Sequence, residues 1–239
     1  MSRQYCTFLQ IGALEISKIS MYNFLHMIYQ RKGVSMSFTG IFKAKDGIFA
    51  IADSKGSILS NGKLVEEIGR NPQKLFPFVN GVAVTYGANQ IQVQNSNRLF
   101  PTKVNVEELV YEYLNQKHTL DSDFFQTFLI KMGTCPANQE PVNFIVGRKI
   151  RTKEYRLELH QIGFNYYVER IASDTDYYFT GGEDLYKRAF DQMDFLTQVT
   201  SVDVMQKSVA SKLEQLITFY DNVLSYNSVG GDIKSYIIR

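Results

Sequence analysis

Residues 37–56 read Ser37-Phe38-Thr39-Gly40-Ile41-Phe42-Lys43-Ala44-Lys45-Asp46-Gly47-Ile48-Phe49-Ala50-Ile51-Ala52-Asp53-Ser54-Lys55-Gly56. Residues 74–88 read Lys74-Leu75-Phe76-Pro77-Phe78-Val79-Asn80-Gly81-Val82-Ala83-Val84-Thr85-Tyr86-Gly87-Ala88. Three pairs, Asp46-Gly47, Asn61-Gly62 and Asn80-Gly81, separate apolar, β-branched and aromatic runs. Asp-Gly and Asn-Gly suit type I′ hairpins, whose two central residues need positive φ. The segment therefore reads as consecutive antiparallel hairpins. Ser37 opens one strand, Asp53 closes the next, and Lys74 precedes the last hairpin. A hydroxyl, a carboxylate and an ammonium can thus converge on one sheet edge and form a catalytic site.

Outward from this segment, the 239-residue chain is long enough for a sizeable core in one large domain or two small ones. Hydrophobic residues at 44% and charged residues at 21% are ordinary for a soluble globular protein. The net charge is +2, and no Lys/Arg cluster is interleaved with aromatics, which argues against a nucleic-acid partner. Cys6 and Cys135 are too few for a disulfide framework or zinc site. His26, His118 and His160 lack metal-ligand spacing and read as surface or hydrogen-bonded core residues. No apolar run is long enough to span a bilayer, and no signal-peptide cleavage site is visible near Met1. The expected protein has no membrane partner and is cytoplasmic.

Residues 1–36 carry scattered apolar positions and a short helical pattern over Ser20–Arg31 that ends at Gly33. Residues 89–103 are polar and predict a short helix or loop. Helical spacing follows at Val104–Gln116 (Val106, Leu109, Val110, Tyr113, Leu114) and Ser122–Met132 (Phe124, Phe125, Phe128, Leu129). Strand patterns occupy Val142–Gly147, Tyr155–Ile162 and Phe164–Ile171. Helices are expected at Asp184–Leu196 and Val202–Tyr226. Thr200 and Asp203 suit a capping box for the second, and Val204, Val209, Leu213, Leu216, Ile217, Tyr220 and Leu224 form its apolar stripe. A last strand is expected at Asp232–Ile238. Paired helices between antiparallel strands predict an α+β fold with helices covering sheet faces.

This pattern resembles the proteasome β-type branch of the N-terminal nucleophile (Ntn) hydrolases, in its bacterial proteasome-like form. Lys45-Asp46-Gly47-Ile48-Phe49-Ala50-Ile51-Ala52-Asp53-Ser54-Lys55 is similar to the family's K-D-G-V-V-L-A-A-D-S-R. Lys74-Leu75-Phe76-Pro77 with Asn80-Gly81 resembles its lysine strand and following turn. Phe179-Thr180-Gly181-Gly182 falls where the family has Gly-Ser-Gly, and Val229-Gly230-Gly231-Asp232-Ile233 where it has Ser-Gly-Gly-Pro-Ile. The resemblance spans nearly everything from Ser37 to Ile238. It implies a four-layer αββα sandwich of two antiparallel sheets covered by helices over residues 37–239.

The resemblance also implies a threonine/serine-type peptidase or other amide hydrolase, with Ser37 as nucleophile at a mature N-terminus. Its free α-amine would be the base, Lys74 the electrostatic activator, Asp53 its orienter and Thr180 a supporting hydroxyl. Backbone N–H groups around Gly87 and Ala88 would hold the oxyanion, and Gly56 would line the substrate site. No cofactor or metal is implied. A peptide or other amide substrate, a homo-oligomeric ring or ring-like assembly and an ATPase partner are implied. Taken singly, Asp53 reads as a turn residue and Lys74 as a solvated lysine; their joint spacing with Ser37 makes the catalytic case.

Four departures stand out. Ser37 replaces the family's Thr. The interval from Asp53 to Lys74 is longer than the family's. The family's second carboxylate falls on Tyr226, beside Asn227-Ser228. Ser37 is also preceded by Met36, so no free amine exists until residues 1–36 are removed. Three readings of that extension stay open. In one, translation starts at Met36, with Lys32-Gly33-Val34 encodable by a purine-rich run like a bacterial ribosome-binding site. In the second it is a propeptide. In the third it is the leading helix of an α-type subunit, and the protein is a catalytically silent ring scaffold. An α+β ligand-binding domain is the alternative from a different class.

Overall fold

The computed structural model describes residues 37–60, 63–67, 72–172, 175–180, 185–193, 195, 197 and 199–239. The expectations for residues 1–36 and for Asn61-Gly62, Gly181-Gly182 and Asp184 fall outside these residues. Two strands with almost no polar positions start the chain's core: β1 (Thr39–Ala44) and β2 (Gly47–Ala52). Both are buried along nearly their whole length, as continuous apolar runs between two packed layers should be. They form the centre of a four-stranded antiparallel sheet, flanked by β12 (Tyr177–Thr180) beside β1 and β13 (Lys234–Ile238) beside β2.

A second antiparallel sheet runs β11 (Tyr166–Ala172), β10 (Glu154–Gly163), β9 (Val142–Arg151), β6 (Gly81–Gly87) and β5 (Leu75–Phe78). Two ribbons stand apart from the sheets, β3 (Ser57–Ser60) with β4 (Lys63–Glu67) and β7 (Gln90–Val93) with β8 (Thr102–Asn105). The described helices are α1 (Val106–Lys117), α2 (Ser122–Gly133), α3 (Leu185–Asp191) and α4 (Val202–Val223). Together these elements make an α+β sandwich.

Each sheet has its own helix-facing core. Phe76, Phe144, Val146 and Ile162 pack with Leu109, Val110, Phe124, Phe125 and Phe128 from α1 and α2. Phe144 is the hub, with ring centroids 5.5, 5.7 and 5.6 Å from Phe124, Phe125 and Phe128. On the other sheet, Phe38, Phe42, Phe49 and Phe179 pack with Tyr186 and Phe190 of α3 and Val202, Met205, Val209 and Leu213 of α4. The sheets meet at Gly147, where an added Cβ would lie 2.8 Å from Ile48 Cδ1 and 3.1 Å from Ile41 Cγ2. A side chain here would force these isoleucines to shift.

The hairpins form as expected, but their loops sit one residue earlier. The loop residues are Lys45-Asp46 and Val79-Asn80, and each glycine is the first residue of the returning strand. Only Asn80 takes positive φ, at 58°. The glycines serve close packing instead: a Cβ on Gly47 would stand 2.5 Å from Ile238 O, and one on Gly81 would stand 2.1 Å from Phe78 Cε2. Residues 89–103, expected as helix or loop, hold the β7–β8 hairpin. Strand β12 is not among the strands the sequence pattern predicts. No capping box forms at α4. Its N-cap is Ser201 with no side-chain cap, Asp46 Oδ1 accepts from Val202 N at 2.8 Å, and Asp203 pairs with Arg239. Helix α4 also stops at Val223, leaving Val204 and Leu224 exposed rather than in its apolar stripe.

A buried polar network lies beside the first core. Glu158 accepts from Arg148 Nε at 2.8 Å, from Arg156 Nε at 2.8 Å and from Arg156 Nη2 at 2.5 Å. His160 Nε2 lies 3.3 Å from Glu158 Oε2, and its Nδ1 lies 2.8 Å from the Tyr167 hydroxyl. The His160 ring stacks on Phe125 with centroids 3.8 Å apart. Burial pushes the Glu158 carboxyl up, but the hydrogen bonds from His160, Arg148 and Arg156 outweigh it and hold the pKa at about 2.

Phe144→Ala should lower stability by about 3–5 kcal/mol, read by urea or thermal melts, because the three rings around it cannot all collapse inward. Glu158, with its pKa below the ordinary 4.5, stabilises the fold fully above that value and loses the effect as pH falls toward 2. Glu158→Gln should therefore cost on the order of 3 kcal/mol at neutral pH and flatten the acid limb of the stability curve below pH ~4.5.

Candidate functional site

Asp53 immediately follows β2 in the first sheet, and Lys74 immediately precedes β5 in the second. Their side chains meet between the sheets, with Lys74 Nζ 2.7 Å from Asp53 Oδ1 and side-chain exposures of 8% and 0%. Such burial is tolerable only when every charged atom finds partners. Asp53 finds them on three segments. Its Oδ1 accepts from Phe38 N at 3.1 Å as well as from Lys74, and its Oδ2 accepts from Gly230 N at 3.0 Å.

Lys74 Nζ also donates to Lys55 O at 2.6 Å. The ammonium's third N–H has no protein partner among the described residues. Burial pushes the Asp53 carboxyl up and the Lys74 ammonium down from their ordinary values, while their mutual attraction and hydrogen bonds oppose both shifts.

Backbone bonds hold both ends of the pair. Asp53 N donates to Phe38 O at 2.9 Å, closing the β1–β2 pairing around the carboxylate. Thr85 N donates to Lys74 O at 2.9 Å, tying the lysine to β6. The long interval between Asp53 and Lys74 is taken up by the β3–β4 ribbon, which lies outside both large sheets. The extra residues therefore leave the ion pair intact. Ser37 directly precedes Phe38, whose amide donates to Asp53 Oδ1.

The C-terminal loop is a third wall that sequence reasoning assigned only in part. Gly230 O accepts from Ser54 N at 3.2 Å and from Lys55 N at 2.9 Å, while Ser54 Oγ accepts from Asp232 N at 2.8 Å. Gly231 lies at φ 71°, where a Cβ would come within 2.6 Å of Ser54 Oγ, so glycine is required. Asn227 ties this loop down. Its Oδ1 accepts from Tyr186 OH at 2.9 Å and Val229 N at 3.2 Å, and its Nδ2 donates to Asp221 Oδ1 at 2.9 Å.

Lys55 Nζ donates to Asn227 O at 2.8 Å and lies 4.7 Å from the Tyr226 ring centroid. At the position of the expected second carboxylate there is therefore an aromatic ring under a lysine. The carbonyl of Lys55 that accepts from Lys74 and the side-chain amide of Asn227 were missed because no motif announces such contacts.

The remaining expected positions divide. Gly87 ends β6 with φ 88°, and an added Cβ would lie 2.4 Å from Pro141 O, so this too is a glycine-only position. The Ala88 amide, expected among the oxyanion donors, donates instead to Pro141 O at 3.1 Å. That leaves Gly87 as the backbone donor to consider. Gly56 is buried just after the carbonyl that accepts Lys74. Thr180 ends β12 opposite Thr39, and no hydrogen bond joins it to Asp53 or Lys74 among the described residues. Thr39 Oγ1, one strand away, is buried without a hydrogen-bond partner among the described residues. Among the described residues no cluster of His, Cys, Asp and Glu could hold a metal ion, and no helix is long and apolar enough to cross a membrane.

No protein-family model and no curated protein sequence matches the chain. Among solved structures it is similar to the Gly-1 mutant of Anbu from Hyphomicrobium sp. strain MC1. That match has a TM-score of 0.50 at 18% identity and covers 84% of this chain and 81% of that one. It is also similar to Anbu, described as an ancestral beta-subunit, from Yersinia bercovieri, with a TM-score of 0.50, 16% identity and coverage of 84% and 80%. At these identities the likeness concerns the fold, and the chain has a proteasome-like fold.

Proposed function

We propose that this protein is a proteasome-β-like amide or peptide hydrolase with an αββα arrangement of layers, and that Ser37 becomes its N-terminal nucleophile when residues 1–36 are absent. The observation that carries the reading is the buried Lys74 ammonium, held by Asp53 and Lys55 O next to the residue that follows Ser37. A hydroxyl is a weak nucleophile until a neighbouring base takes its proton. Among the described residues no histidine lies at this site, and the freed α-amine of Ser37 serves as the base, since its ordinary pKa of about 7.7–8.0 lets it accept a proton near neutrality.

The reaction then follows from the groups present. The amine takes the Ser37 hydroxyl proton as the oxygen adds to the substrate carbonyl. The Lys74 charge favours the developing alkoxide, and the Gly87 amide donates to the tetrahedral oxyanion. The protonated amine next gives its proton to the leaving nitrogen, and the C–N bond breaks to leave an ester on Ser37. Water, deprotonated by the same amine, hydrolyses that ester and restores the enzyme. Asp53 keeps Lys74 aimed and charged. Thr180 serves as a supporting hydroxyl near the strand start, and Gly56 borders the substrate. No resident cofactor enters these steps. The proposed protein works in the cytoplasm as a homo-oligomer, with an ATPase as the partner that would deliver peptide substrates.

Protein expressed from the native gene with its own upstream region should begin at Ser37 by N-terminal sequencing and intact mass. It should hydrolyse amide substrates, and Ser37→Ala should lower that turnover by roughly 10³-fold or more without changing the melting temperature. A chain that begins at Met1 or Ser2 and turns over nothing would sink this reading in favour of a ring-forming scaffold of the same fold. The pH–rate profile should rise through a limb near pH ~7.7–8.0, because below it the α-amine is protonated and cannot act as base. Blocking that amine chemically should abolish the limb together with the activity.

A further inference from the structure

The oxyanion donor of the proposed reaction is the amide of a glycine, the residue type with the least conformational restraint of its own. A donor of this kind accelerates a reaction only if it already points to where charge develops. The two peptide planes that meet at Gly87 must therefore be fixed by their surroundings.

Strand pairing sets the direction of the amide. Along β6 and its ends, backbone bonds alternate between the two edges. Asn80 O and Ala88 N bond toward β9, to Lys149 N at 2.8 Å and Pro141 O at 3.1 Å, whereas Thr85 N bonds to Lys74 O at 2.9 Å on the opposite edge. Gly87 N lies two residues beyond Thr85, so it faces the Lys74 edge past the first residue of β5. Among the described residues no backbone carbonyl outside the strand pairing takes it.

Asn143 of β9 lies behind this amide. It stands opposite Tyr86 in the register of β6 and β9 and is 5% exposed. Its Nδ2 lies 3.4 Å from Tyr86 O and 3.5 Å from Pro141 O. Both partners are carbonyls, so only the NH2 end of the side-chain amide can face them. Tyr86 O belongs to the same peptide as Gly87 N, and Pro141 O is the acceptor that holds the Ala88 amide. One side-chain amide thus bridges the peptides before and after Gly87. It also closes over the glycine itself, since a Cβ on Gly87 would stand 2.9 Å from Asn143 Nδ2. In a trans peptide the C=O and N–H point in opposite directions, so a hold on Tyr86 O is a hold on the direction of Gly87 N. Gln161 of β10 orients Asn143 in turn, with its Nε2 donating to Asn143 Oδ1 at 3.0 Å. The two bonds to carbonyls are long for N–H···O, so what they supply is direction more than stability.

We propose that Asn143, aimed by Gln161, is the positioning residue of the oxyanion donor: it holds the peptides on both sides of Gly87 so that Gly87 N stays directed to the Lys74 edge. It touches neither substrate nor nucleophile and acts through Gly87. The catalytic consequence rests on the hydrolase reading; the hold on the peptide does not.

Crystal structures of wild type, Asn143→Leu and Gln161→Met, together with kinetics on an amide substrate, test it. Leucine has nearly the shape of asparagine without its donor, and methionine the length of glutamine without its amide. In Asn143→Leu the Tyr86–Gly87 peptide should turn and carry Gly87 N away from the Lys74 edge. Its kcat should fall roughly 100-fold with KM within about twofold of wild type, as for a displaced oxyanion donor. Gln161→Met should move both readouts in the same direction by less. Gly87 N unmoved in both variants, or a wild-type kcat in folded Asn143→Leu with only the melting temperature lowered, would overturn the proposal. If the leucine variant does not fold, the methionine variant at half-buried Gln161 decides on the same two readouts. A wild type that turns over nothing would sink the hydrolase reading alone, and a turned peptide in the Asn143→Leu crystal would still uphold the hold on Gly87.

Discussion

The ion pair between Asp53 and Lys74 is the constraint around which the rest is arranged. It joins the residue just after a strand in one sheet to the residue just before a strand in the other, where both side chains are almost fully shielded from solvent. A charge pair in such a place persists only if its remaining valences are satisfied, since desolvation otherwise exceeds the mutual attraction. Here the start of β1, the carbonyl of Lys55 and the amide of Gly230 supply those bonds. Strand order follows the same logic. The final strand β13 lies beside β2, so the loop just before it passes over the end of β2, where its glycine amide can reach the carboxylate.

That loop is held by a residue set other than the expected one. Where a second carboxylate was expected, Tyr226 and Asn227 occupy the loop, and Lys55 links to both, through its Nζ above the ring and its bond to the Asn227 carbonyl. The side-chain amide of Asn227 ties the loop to α3, through Tyr186, and to Asp221 in α4. One consequence is mechanical: helix packing on the outer side of the first sheet reaches the buried pair through hydrogen bonds that begin at an aromatic hydroxyl.

The local grammar of the chain was largely legible. Buried runs such as Gly40–Phe42 and Ile48–Ala52, the stripe of phenylalanines in α2, and the hairpin signals all announced their elements, because burial on both faces and helical spacing leave a one-dimensional trace. The joint spacing of Asp53 and Lys74 also pointed to their meeting. The misses share a cause. The glycines of Asp46-Gly47 and Asn80-Gly81 were read as turn residues, but close packing against a carbonyl or a ring kept them in strands. Strand β12 and the β7–β8 hairpin were unreadable because short strands surrounded by polar or aromatic residues draw their stability from a partner strand elsewhere in the chain.

By itself, then, the sequence determined the α+β class, the order of most strands and helices, and the placing of Asp53 and Lys74 at strand ends that can converge. Those follow from hydrophobic periodicity and from turn signals, both of which act through residue type. Only the tertiary structure decided that the Ala88 amide is taken by Pro141, that Lys55 contributes a carbonyl, and that Asn227 anchors the loop over Asp53. It also decided that the side-chain amide of Asn143 lies against Gly87. These are matters of backbone direction and of distances between residues far apart in the chain, and neither is encoded in the type of any single residue.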